Sequence, residues 1–459
     1  MRIAIIGCGH VGLVTGICLA SLRHEVICLE HEAPLISALE QGKLPIYESY
    51  LDVLFYESRS SGLLTFTRDT AQAARNADAI FLCVDVPQLE NGESDFSALD
   101  TAARQLASSV DSSKLVIMGS TVPVQTAEQL KRFLSIYRGK ADISFSVTSN
   151  PQFFRKGTSV DDFFHPSRIL LGVEDTHSEE ILREIYRPIT DGSFSCPIHM
   201  EKCPASAAPQ ILVTKVLSAE LIKQISNAYL AVKVSYANVL ADLCERLGGD
   251  VQEVTRAAGL DPRIGSQFLS AGLGFGGSRL PKDVRAFCHL AERLEIEAGI
   301  VNAAERVNRE RIDVFFEKVQ RSMWVIKGKR IAMLGLAHKT GTDDILASPA
   351  LDLYKRFIAV GASVRVYDPR AMDQARSLYP EMICATDPHD AGHQADALVI
   401  STDWNEFCGI DWTRMRNIMA RPVLFDGRNL LSPSAMNALG FEYHSVGRRI
   451  ESPSFEDAE

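Results

Sequence analysis

The stretch "RIAIIGCGHVGLVTGICLA", residues 2–20, is a short apolar run that ends at Gly7, passes Gly9 and Gly12, and resumes as apolar residues at helical spacing. That order predicts a buried strand, a tight turn and a helix. Glycines at these intervals let backbone approach a pyrophosphate, whose charge the helix N-terminus then meets. The next apolar run, EVICLE, ends on Glu30, where an acid can hold a ribose diol and would repel a 2′-phosphate. Gly7, Gly9, His10, Val11, Gly12 and Glu30 are therefore the expected binding residues for NAD rather than NADP. A turn kept glycine-rich only for close packing would have the same spacing, so the motif alone leaves that alternative open.

Working outward, apolar runs (IAIIG, EVICLE, AIFLCV, LVIMGS, SRILLG) alternate with helical stretches to about residue 200, the pattern of a parallel sheet built from crossover units. From Ser218 to Leu247 there is no Gly or Pro, and Leu221, Ile222, Ile225, Tyr229, Val232, Val239 and Leu243 fall at helical intervals, predicting one long helix in an all-helical segment reaching about residue 320. Beyond Lys327 the strand pattern returns (RIAMLGLA, SVRVYDP, ALVIST, PVLFDGRN). The expected fold is α/β, with two Rossmann-like parallel-sheet domains, 1–204 and 323–459, joined by a central helical domain, 205–322. The tail ESPSFEDAE is expected to be mobile.

Composition narrows the ligands. The 459 residues carry a formal net charge of −10 and no basic block that could replace phosphate counterions, which argues against nucleic acid. No run of eighteen apolar residues suggests a membrane span, and the expected location is cytoplasmic. Ten cysteines (8, 18, 28, 83, 196, 203, 244, 288, 384 and 408) lack C-x-x-C pairs, so they are expected to be reduced thiols with no metal bound. His165 and His338 are expected to be packing or loop residues.

Two further stretches carry chemistry. Lys223 and Asn227 lie four apart on the long helix and share a face. Such a pair could steady an oxyanion and orient water or substrate, and a solvated stripe would give the same spacing. Asp283 follows Pro281 in a helical first turn, where a carboxylate is favoured whatever its role. It closes the loop "GLGFGGSRLPKD", residues 272–283, whose apex is Arg279.

The chain resembles the UDP-glucose/GDP-mannose dehydrogenase family through GCGHVG, GSTVPVQT (119–126), SNPQFFRKGT (149–158), AELIKQISNAYLA, LDPRIG (260–265), GFGGSRLPKD, LGLAHKTGTDD (334–344) and FDGRNLL (425–431), in the family's order. LDPRIG and DGRN are more similar to its UDP-sugar branch. The resemblance implies an N-terminal NAD domain, a central helix that forms a homodimer, and a C-terminal domain for the UDP-sugar substrate. In the family a sugar C6 alcohol is oxidised twice, the second time through a cysteine thiohemiacetal and thioester. The resemblance implies that Lys223, Asn227 and Asp283 are catalytic, with Thr121 near the reacting water and the cofactor. It further implies cofactor contacts from Val86 and Pro87, and sugar contacts from Gln152, Phe153, Lys156, Phe268, Phe275 and Gly276. Arg263 would reach the substrate of the partner subunit, and Lys339 and Arg428 the nucleotide end.

Departures from the family fall at the reacting end. Arg279 occupies the position of the family's cysteine, and a guanidinium is no covalent nucleophile. The NPEF…EG pattern reads here as Asn150-Pro-Gln152-Phe with Lys156-Gly157. Relative to the family, these three changes add about +4 in charge if all the side chains face one pocket. Val86 in VDVP and Leu346-Ala347 in DDILASP also depart. Three readings stay open: a site refitted for an anionic sugar such as UDP-glucuronate, with a single or reversible hydride transfer that could give a keto-sugar or an epimer; a UDP-glucose enzyme that stops at the aldehyde; and a non-catalytic NAD or nucleotide-sugar sensor, with drift toward an inactive protein as its bland relative.

Overall fold

The computed structural model describes residues 1–87, 94–120, 122–139, 142–199, 203 and 208–448. Thr121 and the C-terminal tail lie outside the described residues. The chain divides into two compact units, Met1–Ser226 and Asn227–Glu459.

In the first unit, strands β1 (Arg2–Ile6), β2 (Glu25–Leu29), β3 (Leu64–Thr67), β4 (Ala79–Leu82), β5 (Lys114–Met118), β6 (Phe145–Ser149), β7 (Arg168–Gly172) and β8 (Gln210–Thr214) form one sheet in the order 3-2-1-4-5-6-7-8. The described pairings are parallel except β6 with β7, which meet antiparallel at Ser149 and Gly172. β1 is central and its alternate residues feed two cores. Ile3 and Ile5 pack with Leu13, Val14 and Ile17 on one face, while Ala4 and Ile6 pack with Ile80 and Leu82 on the other. Burial on both faces explains why the strand is a continuous apolar run rather than an alternating one.

In the second unit, β9 (Arg330–Leu334), β10 (Ser363–Tyr367), β11 (Ile383–Cys384), β12 (Ala397–Ile400), β13 (Val423–Asp426) and β14 (Glu442–Ser445) are ordered 11-10-9-12-13-14. This is the 3-2-1-4-5-6 arrangement of a dinucleotide-binding sheet, and the first six strands of the first unit share it. In both sheets an acid at the end of the second strand takes amides from the loop after the first strand. Glu30 accepts from Cys8 N at 3.0 Å; Asp368, fully buried, accepts from Leu336 N at 2.7 Å and Ala337 N at 3.0 Å. The expected α/β class and both parallel sheets are present.

The long helix runs Val216–Leu247, two residues longer at its start than expected, and crosses the division between the units. Helices Val251–Gly259, Leu280–Arg293 and Gly299–Met323 follow it. Along the long helix Leu217, Leu221, Ile225, Tyr229, Tyr236, Val239, Leu243 and Leu247 are exposed, an apolar stripe at intervals of three, four and seven. Among the described residues no helix is long and apolar enough to cross a membrane.

Candidate active site

Two of the three glycines after β1, Gly12 and Gly9, have distinct tasks. A Cβ on Gly12 would stand 1.9 Å from Gly7 O, so close packing of helix His10–Ser21 against the turn requires glycine there. A Cβ on Gly9 would meet nothing within 4 Å: Gly9 is exposed, and its backbone faces open space where a pyrophosphate can approach. No acidic side chain stands in that helix's first turn. Glu30 is fixed by Cys8 N and by His31 N at 2.8 Å, at the end of β2. These residues fit NAD. Val11 is half-buried, Val86 is buried just beyond β4, and Pro87 is exposed beside it.

His10 contributes in a way its position in the motif does not announce. Its Nε2 lies 2.6 Å from Oε1 of Glu48, a buried carboxylate that also accepts from Gly157 N (2.8 Å), Ser159 N (2.9 Å) and Ser159 Oγ (3.0 Å). Burial works to raise the Glu48 pKa, but the His10 hydrogen bond and charge and the two amides outweigh it and hold the carboxyl below its ordinary value. Glu48 thus ties the dinucleotide turn to the segment that carries Gln152, Phe153 and Lys156. It sits in an irregular stretch, and only its charge among apolar and turn residues could have flagged it.

Within that segment the Gln152 amide is turned inward. Nε2 donates to Asn150 O (3.0 Å), Asn150 Oδ1 (2.7 Å) and the Tyr186 hydroxyl (3.1 Å). A neutral amide suits this network, because a carboxylate could not donate to those acceptors. Phe153 presents its ring to two cations: Lys223 Nζ is 4.7 Å and Arg168 Cζ 4.1 Å from its centroid. Lys223 is 4% exposed, so this is a desolvated lysine held over an aromatic face. Lys156 is half-buried.

In the second unit, one turn further along the long helix, Asn227 donates through Nδ2 to Asp283 Oδ2 at 2.5 Å, and both residues are buried. Asn227 and Asp283 are thus brought together, and neither belongs to a solvated stripe. Arg279 is the N-cap residue of helix Leu280–Arg293, half-buried, and its carbonyl accepts from Asp283 N at 2.8 Å. The loop before it is clamped on two sides. Asn308 bonds both Phe275 N (2.7 Å) and Phe275 O (3.0 Å), and a Cβ on Gly276 would fall 2.1 Å from Ala347 O. Gly277 N donates to Leu346 O at 2.9 Å, so the departing pair Leu346-Ala347 supports the loop.

Arg428 is bound to backbone rather than left open to a ligand. Its guanidinium donates to Ser401 O (2.9 Å), His338 O (3.1 Å) and Gly274 O (3.4 Å), fastening the glycine loop to the ends of β9 and β12. Burial lowers its pKa, against the pull of Asp403 and Asp426. Lys339, next to His338 in sequence, is half-buried. Arg263 is apart from the Asn227–Asp283 pair in its interactions: its guanidinium is exposed and paired with Asp261 at 2.6 Å. Phe268 is half-buried with φ +62°, a left-handed conformation costly for an aromatic residue.

No described thiol takes the place that Arg279 fills. Cys8, Cys18, Cys28 and Cys83 are buried in the first unit's core, and burial raises Cys18 and Cys83 well above the ordinary thiol range. Cys288 lies on the same helix as Arg279, about 13 Å along the axis and half a turn round, and burial raises its pKa too. The sequence reading also missed a convergence elsewhere: His165, Cys196, His199 and Cys203 bring their donor atoms within 4.8 Å of one another. The C-x₂-H-x₃-C spacing of Cys196, His199 and Cys203 is its signal in the sequence, one that differs from a pair of C-x-x-C motifs.

Three family models match in order: the UDP-glucose/GDP-mannose dehydrogenase NAD binding domain over residues 1–190, the central domain over 217–310 and the UDP binding domain over 332–433. UDP-glucose 6-dehydrogenase of Rhizobium meliloti (strain 1021) is 39% identical over 452 residues, covering 98% of this chain and 100% of that protein. Among solved structures, a UDP-glucose dehydrogenase from the hyperthermophilic archaeon Pyrobaculum islandicum superposes with a TM-score of 0.86 at 32% identity, over 97% of this chain and 98% of that one. UDP-D-ManNAc dehydrogenase from Pyrococcus horikoshii gives 0.82 at 27%, over 98% and 99%. With the two sheets, the glycine turn and the Asn227–Asp283 pair, these matches make the chain a member of the UDP-glucose/GDP-mannose dehydrogenase family, NAD-dependent dehydrogenases of nucleotide sugars.

Proposed function

We propose that this family member oxidises a UDP-sugar by a single hydride transfer, without the second, thiol-dependent oxidation, and that its sugar carries an anionic group at the end Arg279 faces. NAD, when bound, supplies the hydride acceptor. Lys223, desolvated over Phe153, stabilises the alkoxide that forms as the sugar hydroxyl loses its proton. Asp283, held by Asn227, takes that proton directly or through a water. Arg279 pairs the sugar's carboxylate in bidentate fashion. The observation that carries the reading is Arg279 itself, one helical turn before Asp283 with no described thiol replacing the missing nucleophile.

The names of the curated relatives favour a second reading, with UDP-glucose as substrate and the reaction halted at the aldehyde. Under either reading the protein is a homodimer across the apolar stripe of its long helix, with residues 205–322 as the dimerisation domain. Its compartment is the cytoplasm, where ten thiols stay reduced.

The two readings separate when purified protein is incubated with NAD and either UDP-glucuronate or UDP-glucose and the sugars are followed by NMR. Conversion of UDP-glucuronate, lost in Arg279→Ala, supports the anionic substrate. Conversion of UDP-glucose alone, unaffected by Arg279→Ala, overturns it, and binding of both sugars without any turnover overturns the enzymatic reading.

A further inference from the structure

The four residues that converge outside the active site come from two places in the first unit. His165 caps the C-terminus of helix Ser159–Phe164. Cys196, His199 and Cys203 follow helix Thr176–Thr190 in the sequence CPIHMEKC. His165 Nε2 lies 3.1 Å from Cys203 Sγ and 3.4 Å from Cys196 Sγ, and Cys196 Sγ lies 3.8 Å from His199 Nδ1.

The three nitrogen-to-sulfur separations bracket the value a tetrahedral site requires, and all four donor atoms lie within 4.8 Å of one another. With metal–nitrogen bonds of about 2.05 Å and metal–sulfur bonds of about 2.3 Å, tetrahedral donors stand about 3.3 Å (N to N), 3.6 Å (N to S) and 3.8 Å (S to S) apart. Two thiols and two imidazoles form a donor set that suits zinc. Supporting contacts are also in place. Asp161 Oδ1 is 2.8 Å from His165 Nδ1, which directs the Nε2 lone pair at the cluster, and His199 N donates to Cys196 Sγ at 3.3 Å. Phe194 backs the site, stacked on Phe164 at 5.4 Å and 6.3 Å from the His165 ring.

The geometry points to a structural zinc site formed by His165, Cys196, His199 and Cys203. Four protein donors leave no position for water or substrate, so the ion has a bracing role rather than a catalytic one. Binding releases the two thiol protons, and the pair of thiolates balances the dication. The brace joins the chain after helix Thr176–Thr190 to helix Ser159–Phe164, whose first residue, Ser159, is already held by Glu48. None of the four residues belongs to the substrate or cofactor machinery, so the site stands or falls independently of the proposed reaction.

The test is metal content. Protein made without a histidine tag, in zinc-supplemented medium, is dialysed against metal-free buffer and analysed by plasma mass spectrometry. About one zinc per chain is expected, falling several-fold in Cys196→Ser and Cys203→Ser. Cobalt substitution should give the charge-transfer and d–d bands of a tetrahedral two-thiolate site. Asp161→Ala, which spares all four donors, should keep the native circular dichroism spectrum while weakening zinc affinity about 10–100-fold in a chelator competition. Folded wild-type protein that retains no zinc, equal zinc in the cysteine variants, or a Cys196–Cys203 disulfide in the purified protein would overturn the assignment.

Discussion

Replacing Glu48 with Gln tests the link between the dinucleotide turn and the segment that carries Lys156. The buried carboxylate receives hydrogen bonds from His10, Gly157 N, Ser159 N and Ser159 Oγ. A glutamine has one accepting oxygen, and its NH₂ would face donors. About two charge-assisted hydrogen bonds are therefore lost, at roughly 1.5 kcal/mol each, giving about 3 kcal/mol. For a unit of this size that corresponds to a fall in Tm of about 6–12 °C. The pH dependence follows from the sign of the shift. The Glu48 pKa is depressed in the folded protein, so its contribution is fully present above the unfolded value of 4.5 and disappears as pH falls through the lower folded value. Thermal scans of wild type and Glu48→Gln by circular dichroism should therefore differ most near neutrality and converge below about pH 4.5. A Tm within 2 °C of wild type at pH 7, or a gap that widens in acid, would refute the reasoning.

Asp283→Asn should lower turnover at least about 100-fold while leaving NAD binding intact, because it removes the proton acceptor and not the glycine turn; stopped-flow absorbance and NAD titration check the two halves. Arg428→Ala should destabilise the second unit by about 3 kcal/mol, since two well-formed hydrogen bonds to loop carbonyls and one longer contact disappear together, read as a shift in its urea midpoint. Tyr229→Glu combined with Tyr236→Glu places two charges in the exposed apolar stripe and should convert a dimer to a monomer in sedimentation velocity, with the far-ultraviolet spectrum unchanged.

The fold was legible wherever burial imposed a period. β1 lies buried on both faces, so it is a continuous apolar run, and the long helix announces itself by spacing and by its lack of glycine and proline. β3 (LTFT), β6 (FSVTS), β8 (QILVT), β11 (IC) and β14 (EYHS) escape the sequence reading because polar residues or brevity interrupt the apolar pattern that marks the other strands. The motifs announce the candidate site residues and not their supports. The family resemblance singles out Asn227 and Asp283, whereas Glu48, Arg168 and the carbonyl clamp of Arg428 act through contacts between distant segments, which leave no local spacing. The His-Cys cluster is partly of that kind, because His165 joins ligands 31 residues further on.

The central claim, that Arg279 removes the second oxidation, is tested most directly by counting NADH formed per UDP-glucose consumed by wild type and by Arg279→Cys, each at saturating NAD. The account predicts at most one NADH per sugar for wild type and a rise toward two when the thiol is restored. Two NADH per sugar from the wild-type protein would contradict it.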